Sequence, residues 1–236
     1  LQDRERFGLS LVLGGAEVKL VDITSAYGVF AANGMRSPWT LIQRIESSDG
    51  SVLEETKNEP KRVLDQEIAR MINDILSDNS ARAPVFGYSS SLYMPGRTVA
   101  AKTGTTQENR DAWVIGYSPN LVTGVWTGNN RQESMTQQGA GISAAGPMWH
   151  EFMAKAMESR PNEKFPSPAP LSASKIMLDG NYIYLRDGSA FPEYHSILHY
   201  IDRGYVRGPF PSDPAKDLQF QNWEWSVQKV YGPPSV

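Results

Sequence analysis

The chain has 236 residues, 40% of them hydrophobic, with six tryptophans and a formal net charge of −3. Such a composition is globular rather than disordered, and it lacks the basic excess of a nucleic-acid binder. The absence of cysteine excludes disulfides and thiolate catalysis and suits an oxidising or extracytoplasmic setting, and no apolar run approaches the about 18 residues needed to cross a bilayer.

Taken in chain order, the opening segment LQDRERFG begins without methionine, runs straight into charge and carries no signal pattern. It reads as a cut from something longer, whose targeting or membrane segment lies elsewhere. Leu20, Ile23, Tyr27 and Phe30 then recur at helical spacing, and Asn33-Gly34 supplies the stop. A short strand is expected over 41–45, returning over 51–53 around Asp49-Gly50. Asp65 is a good N-cap for a second helix with the apolar stripe Ile68, Met71, Ile72, Ile75 and Leu76. Strand signals follow over 98–106, 111–117 and 121–127, the last two flanking Ser118-Pro119-Asn120, so they should form an antiparallel hairpin. A third helix carries Trp149, Phe152, Met153, Ala156 and Met157, with Pro147 expected just inside its start. All three stripes are expected to pack in the core.

Composition shifts after Met157. Residues 158–175 are rich in Pro and Ser and read as a linker. Residues 176–236 read as a C-terminal extension with a hairpin around Asp179-Gly180, two Pro-rich stretches and the aromatic pair Trp223 and Trp225. There are no internal repeats.

The sharpest chemical feature is Lys102-Thr103-Gly104-Thr105-Thr106 on a strand. Alternation places Thr103 and Thr105 on one face and Lys102 and Gly104 on the other. Two hydroxyls on one face can bind a carboxylate, and Lys102 supplies positive charge that attracts an anionic ligand and tunes a neighbouring proton transfer. Gly104 lets another backbone or helix approach closely. These parts suit an acyl donor with a terminal carboxylate. Other candidates are weaker. His195 and His199 stand four residues apart like a helical metal pair, but position 196 is Ser where a zinc protease needs Glu, and no third ligand is evident. No metal site is expected. His150 reads as a partly exposed helix residue. Asp111 could orient the strand or hold Arg110 or Arg97, and reads as structural.

Three stretches together resemble class A penicillin-binding proteins: GLSLVLGGAEVKLVDITSAYGVFAANG (8–34), KTGTTQENRDAWVIGYSPNLVTGVWTGNN (102–130) and GISAAGPMWHEFM (141–153). The resemblance covers roughly residues 5–157 and keeps the family's order. It implies an α+β fold, the C-terminal half (1–157) of a penicillin-binding, serine β-lactamase-like transpeptidase domain, with an antiparallel sheet flanked by helices and a small C-terminal extension. The implied activity is extracytoplasmic serine D,D-transpeptidation. It cross-links peptidoglycan stem peptides ending in D-Ala-D-Ala, is acylated by β-lactams, needs no metal or organic cofactor, and belongs to a membrane-anchored parent. By carry-over, Lys102 is the catalytic lysine of the Lys-Thr-Gly strand. Thr103, Gly104 and Thr105 line the substrate, with the two threonine hydroxyls on its carboxylate, and the N–H of Thr105 is half of the oxyanion hole.

The family's S-x-x-K and S-x-N should precede Lys102. The matches here are Ser172 to Lys175, Ser226 to Lys229, Ser77-Asp78-Asn79 and Ser118-Pro119-Asn120. None has the required place, so the nucleophile is expected to be absent from this chain. Two rival readings remain: a D,D-carboxypeptidase or β-lactamase-type hydrolase, in which water deacylates, and a non-catalytic wall-binding module that works through Trp223 and Trp225.

Overall fold

The computed structural model describes residues 8, 11, 14–136 and 141–169, the backbone of 181–186 and 189–194, and residues 225 and 229. The chain divides into two compact units, Leu1–Pro168 and Ala169–Val236.

In the first unit, α1 (Leu20–Ala31) ends where the sequence places its stop. Asn33 and Gly34 take positive φ of 53° and 92°, and the Gly34 N–H reaches back to the Val29 carbonyl at 2.7 Å. A side chain at Gly34 would collide with the Leu64 carbonyl, so glycine is required there. Short strands β1 (Met35–Arg36) and β4 (Lys61–Arg62) pair antiparallel beside this turn. Between them, β2 (Arg44–Glu46) and β3 (Val52–Glu55) form a hairpin around Asp49-Gly50 as expected, β2 beginning at 44 rather than 41, with Ile45 and Leu53 exposed.

Helix α2 (Gln66–Ser77) begins at Asp65, whose carboxylate accepts from the N–H groups of Glu67 and Ile68. Its inward face differs from the apolar stripe. Ala69 and Asn73 are buried, whereas Ile68 and Ile75 are 44% and 64% exposed. The cause is polar. Asn73 donates to the Phe30 carbonyl at 3.0 Å and accepts from the Tyr117 hydroxyl at 2.8 Å, which turns the Ala69–Asn73 line toward α1 and the sheet. Helix α3 (Asn79–Phe86) follows at once, capped by Asp78.

The sheet has three antiparallel strands in the order β5 (Ala100–Thr105), β6 (Asp111–Ser118), β7 (Leu121–Gly128). The last two form the predicted hairpin, closed by the Ser118–Leu121 pair. Its two faces are marked by glycines. A Cβ at Gly116 would strike the Trp149 ring of α4 (Ile142–Met157), and one at Gly124 would strike Thr24 of α1. Helix α4 therefore covers one face and α1 the other. Met94, Val99, Ala101, Ala112, Val114, Ala145, Trp149, Met153 and Met157 share the core on the α4 side. Phe152, expected in that core, is 55% exposed, because Trp149, Met153 and Met157 at spacings of four already fill the contact line. Pro147 lies five residues beyond Ile142 rather than at the helix start. It is tolerated because the Ser143 carbonyl it frees lies on the exposed side, where water can meet it.

The first unit continues past α4. Arg97 donates to the carbonyls of Met157 and Arg160, Asn162 to that of Gly96, and Asn120 to that of Pro161, while Phe165 meets the Tyr117 ring edge-on at 5.5 Å. The first part of the Pro- and Ser-rich stretch is thus strapped to the sheet end. In the second unit, β8 (Asn181–Arg186) and β9 (Ser189–Tyr194) pair antiparallel, from Asn181–Tyr194 to Arg186–Ser189, and the hairpin expected around Asp179-Gly180 lies outside the described residues.

Burial raises the Tyr117 hydroxyl well above its ordinary range, with the neighbouring Tyr27 phenol adding to the rise. The folded state therefore holds it neutral, while an unfolded tyrosine ionises near pH 10, at about its ordinary value. The resulting stability is complete below about pH 10 and is lost as pH climbs through the folded value. Tyr117→Phe should cost about 1–3 kcal/mol at neutral pH by leaving the Asn73 oxygen without its donor. It should also flatten the alkaline decline of unfolding free energy measured in urea titrations from pH 8 to 11; equal slopes for the two proteins would refute the assignment.

A candidate active-site edge on strand β5

Strand β5 pairs with β6 on one side and, among the described residues, with no strand on the other. The register decides what that free edge presents. Thr106 donates its N–H to the Asp111 carbonyl at 3.1 Å, and the Ala100–Tyr117 to Thr105–Ala112 register runs without a shift. Hydrogen-bonded pairs alternate along an antiparallel ladder. Ala100, Lys102 and Gly104 therefore spend their backbone groups on β6, and Ala101, Thr103 and Thr105 turn theirs outward. The Thr105 N–H and the Thr103 carbonyl lie on the open edge.

The side chains follow the expected alternation. Ala101, Thr103 and Thr105 share the α4 face, Thr103 half-buried and Thr105 exposed. Lys102 and Gly104 lie on the opposite face, beside Trp113. The Lys102 ammonium is exposed and donates to the Thr103 carbonyl at 2.7 Å, so it curls over the open edge. What packs on Gly104 is the Trp113 side chain rather than a backbone or helix. A Cβ there would sit 3.5 Å from Trp113 Cβ, an ordinary contact.

Gly141 presses harder. It caps α4 at φ 47°, and a Cβ on it would stand 2.6 Å from the Thr105 hydroxyl oxygen. The Thr105 side chain thus occupies the notch that glycine leaves at the helix start.

A sequence model of the penicillin binding protein transpeptidase domain matches residues 8–154. This chain belongs to the penicillin-binding protein transpeptidase domain family. Penicillin-binding protein 1A of Aquifex aeolicus is 38% identical over 160 residues, covering 67% of this chain, and that of Mycobacterium tuberculosis 36% identical over 169 residues, again 67%. The chain spans 21% and 20% of those relatives' lengths. Among solved structures, penicillin-binding protein PonA1 of Mycobacterium tuberculosis is 32% identical with a TM-score of 0.57, over 68% of this chain and 44% of that one. Penicillin-binding protein 1A of Haemophilus influenzae is 20% identical with a TM-score of 0.61, over 78% of this chain and 33% of that one, and agrees in fold. The mixed arrangement of helices on an antiparallel sheet is the penicillin-binding transpeptidase fold.

The decoy motifs have ordinary work in this family member. Ser77 closes α2, Asp78 caps α3 and Asn79 donates to the Tyr88 carbonyl. Ser118 donates to Asn120 across the hairpin turn. Lys229 stacks over the Trp225 ring at 4.8 Å. Ser172 to Lys175, Ser226, Trp223, His195 and His199 lie outside the described residues. His150 is half-buried with Nδ1 at 3.0 Å from the Ser91 carbonyl. Asp111 holds neither arginine. Arg110 pairs with Glu108, Arg97 caps α4, and the Asp111 carboxylate takes the Trp126 indole and the Thr106 hydroxyl, both at 2.9 Å. Sequence reading missed Gly141, since only a fold brings the start of α4 against β5.

The two glycines separate in a test. Gly104→Ala should leave thermal stability within about 1 kcal/mol, since the space and backbone angles accept a methyl group. Gly141→Ala should cost about 1–3 kcal/mol through its positive φ and the Thr105 contact. Melting temperatures of the two variants decide the point, and equal stabilities would mean that the notch is not occupied as described.

Proposed function

We propose that this chain carries the substrate-binding edge of a serine D,D-transpeptidase that cross-links peptidoglycan stem peptides outside the cytoplasm and is acylated by β-lactams. The observation that carries the reading is the family's Lys-Thr-Gly strand on an open sheet edge, with the Thr105 N–H directed outward. The nucleophile belongs to protein beyond these 236 residues. No S-x-x-K precedes Lys102, and the chain spans about a fifth of its curated relatives.

In this reading a stem peptide ending in D-Ala-D-Ala lies along β5. Its terminal carboxylate takes hydrogen bonds from the Thr103 and Thr105 hydroxyls, and Lys102 offsets its charge. The serine oxygen attacks the carbonyl carbon of the penultimate D-Ala. The carbonyl electron pair moves onto oxygen, where the Thr105 N–H and the serine's own N–H stabilise it. Collapse breaks the C–N bond, and the terminal D-Ala leaves as the amine, carrying the proton given up by serine. An amine from a neighbouring stem peptide then attacks the acyl-enzyme and restores the serine. A β-lactam follows the same path with its ring amide in place of the peptide bond. Nothing in these steps calls for a metal or an organic cofactor.

In the longer protein, Lys102→Ala should lower the acylation rate by a fluorescent penicillin roughly 10- to 1,000-fold, as loss of a charged contact in the transition state does. An unchanged rate would remove Lys102 from the site.

We further propose that residues 176–236 are an extension outside the catalytic fold. The family match stops at 154 and the first compact unit closes at Pro168. Ending the longer protein after Pro168 should leave penicillin acylation intact. Ending it after Arg160 should cost a further 1–3 kcal/mol or so, because the Phe165 contact and the Asn162 hydrogen bond go with it. Loss of acylation on ending the protein after Pro168 would place the extension inside the catalytic unit.

A further inference from the structure

The β5–β6 connection is a tight one. Glu108 and Asn109 both sit at positive φ, 60° and 53°, and neither is glycine. A turn of that kind persists only where its ends are held. Its ends are Thr106 and Asp111, and they are closed on each other three times. The Thr106 N–H donates to the Asp111 carbonyl at 3.1 Å, the Asp111 N–H donates to the Thr106 hydroxyl at 2.8 Å, and that hydroxyl donates to the Asp111 carboxylate at 2.9 Å. The second carboxylate oxygen accepts from the Trp126 indole at 2.9 Å. One side chain thus ties together the residue that follows β5, the first residue of β6 and the far end of β7.

The tie reaches Thr105 from both sides. Thr106 follows it directly. Trp126 meets Trp113 edge-on at 6.5 Å, and Trp113 is the side chain packed on Gly104. Thr105 itself makes no ladder bond, since its N–H points away from β6. Its peptide plane is set by the residues on either side.

We propose that Asp111 is a positioning residue for the Thr105 N–H, acting through Thr106 and through the Trp126–Trp113 pair, so that one carboxylate fixes the direction of an oxyanion donor it does not touch. The inference rests on the acyl-transfer reading above. A donor displaced by about 1 Å loses on the order of a hundredfold in rate while the ground-state complex forms as before. The carboxylate form matters because both of its oxygens accept. Asparagine puts an NH2 where one of the two oxygens stands, so only one of the two acceptor positions is kept.

The test uses the longer protein that carries this chain, with a fluorescent penicillin, separating the acylation rate constant from the dissociation constant of the preceding complex. Asp111→Ala and Thr106→Val should lower the rate constant at least tenfold while shifting the dissociation constant less than threefold. Thr106→Ser, which keeps the hydroxyl, should restore the rate to within threefold of the parent. Trp126→Phe, which removes the indole donor with part of the ring but keeps an aromatic group facing Trp113, should lower it about three- to tenfold with the fold retained by circular dichroism. A parent that is not acylated at all overturns the functional reading and this inference with it. An acylated parent whose Trp126→Phe and Thr106→Val forms react at the parental rate overturns the inference alone, as does a loss carried entirely by the dissociation constant or one that Thr106→Ser fails to restore.

Discussion

The hydrogen-bond register between β5 and β6 is the constraint on which the candidate site depends. Because Thr106 pairs with Asp111, the parity of the ladder is fixed, and parity alone decides whether the Thr105 N–H points into the sheet or out of it. A one-residue slip would send that N–H to β6 and turn both threonines to the other face. Register is specified where the two faces of a sheet are buried by different partners, as here. Ala112 and Val114 are fully buried on the α4 side, and Tyr117 is fully buried toward α1. The core and the edge are therefore not separable features. The tryptophan of α4 lies against Gly116, which leaves no room for a side chain, and that fit pins the strand from which β5 takes its alignment.

A second tie acts at the other end of the sheet. Asn73 joins the end of α1 to Tyr117, and Tyr117 carries Tyr27, Phe30 and Phe165 around its ring. A buried amide with both its oxygen and its nitrogen satisfied is directional in a way that apolar contact is not. It sets the rotation of α2 against the local preference of its isoleucines. The arrangement places polar specification at both ends of a sheet whose middle is apolar, Asp111 at one end and Asn73 at the other.

Much of this was legible in the sequence, and the exceptions share a cause. The stop at Asn33-Gly34, the Asp65 cap, the hairpin at Ser118-Pro119-Asn120 and the alternation through Lys102 to Thr105 are local, each set by neighbours within a few residues. The inward face of α2 was misread because a polar residue, Asn73, is drawn into the interior by groups 43 and 44 positions away in sequence. Phe152 was misread because periodicity marks a broad stripe, and the partner uses only part of it. The partners of Asp111 could not be chosen from sequence, since nearby arginines look like the natural choice for a carboxylate and the actual donors come from a tryptophan one strand over and a threonine hydroxyl. Gly141 carried no signal at all, because its meaning is the distance to Thr105.

The open edge of β5 raises a problem common to all sheets, for unpaired backbone groups invite another strand. Here the edge is defended by the residue that the acyl-transfer reading needs. The Lys102 ammonium folds over the Thr103 carbonyl, one of the outward-facing acceptors. A neutral strand arriving at this edge would have to displace that bond and crowd a full positive charge against its own backbone. A ligand with its own carboxylate meets it. On the acyl-transfer reading the same ammonium would favour an extended peptide that brings a terminal carboxylate over one that offers the edge only backbone groups. Charge on an edge strand serves solubility in many proteins. On β5 the ammonium lies over the open edge itself, so in the acyl-transfer reading protection against pairing and selection of ligand follow from one charge.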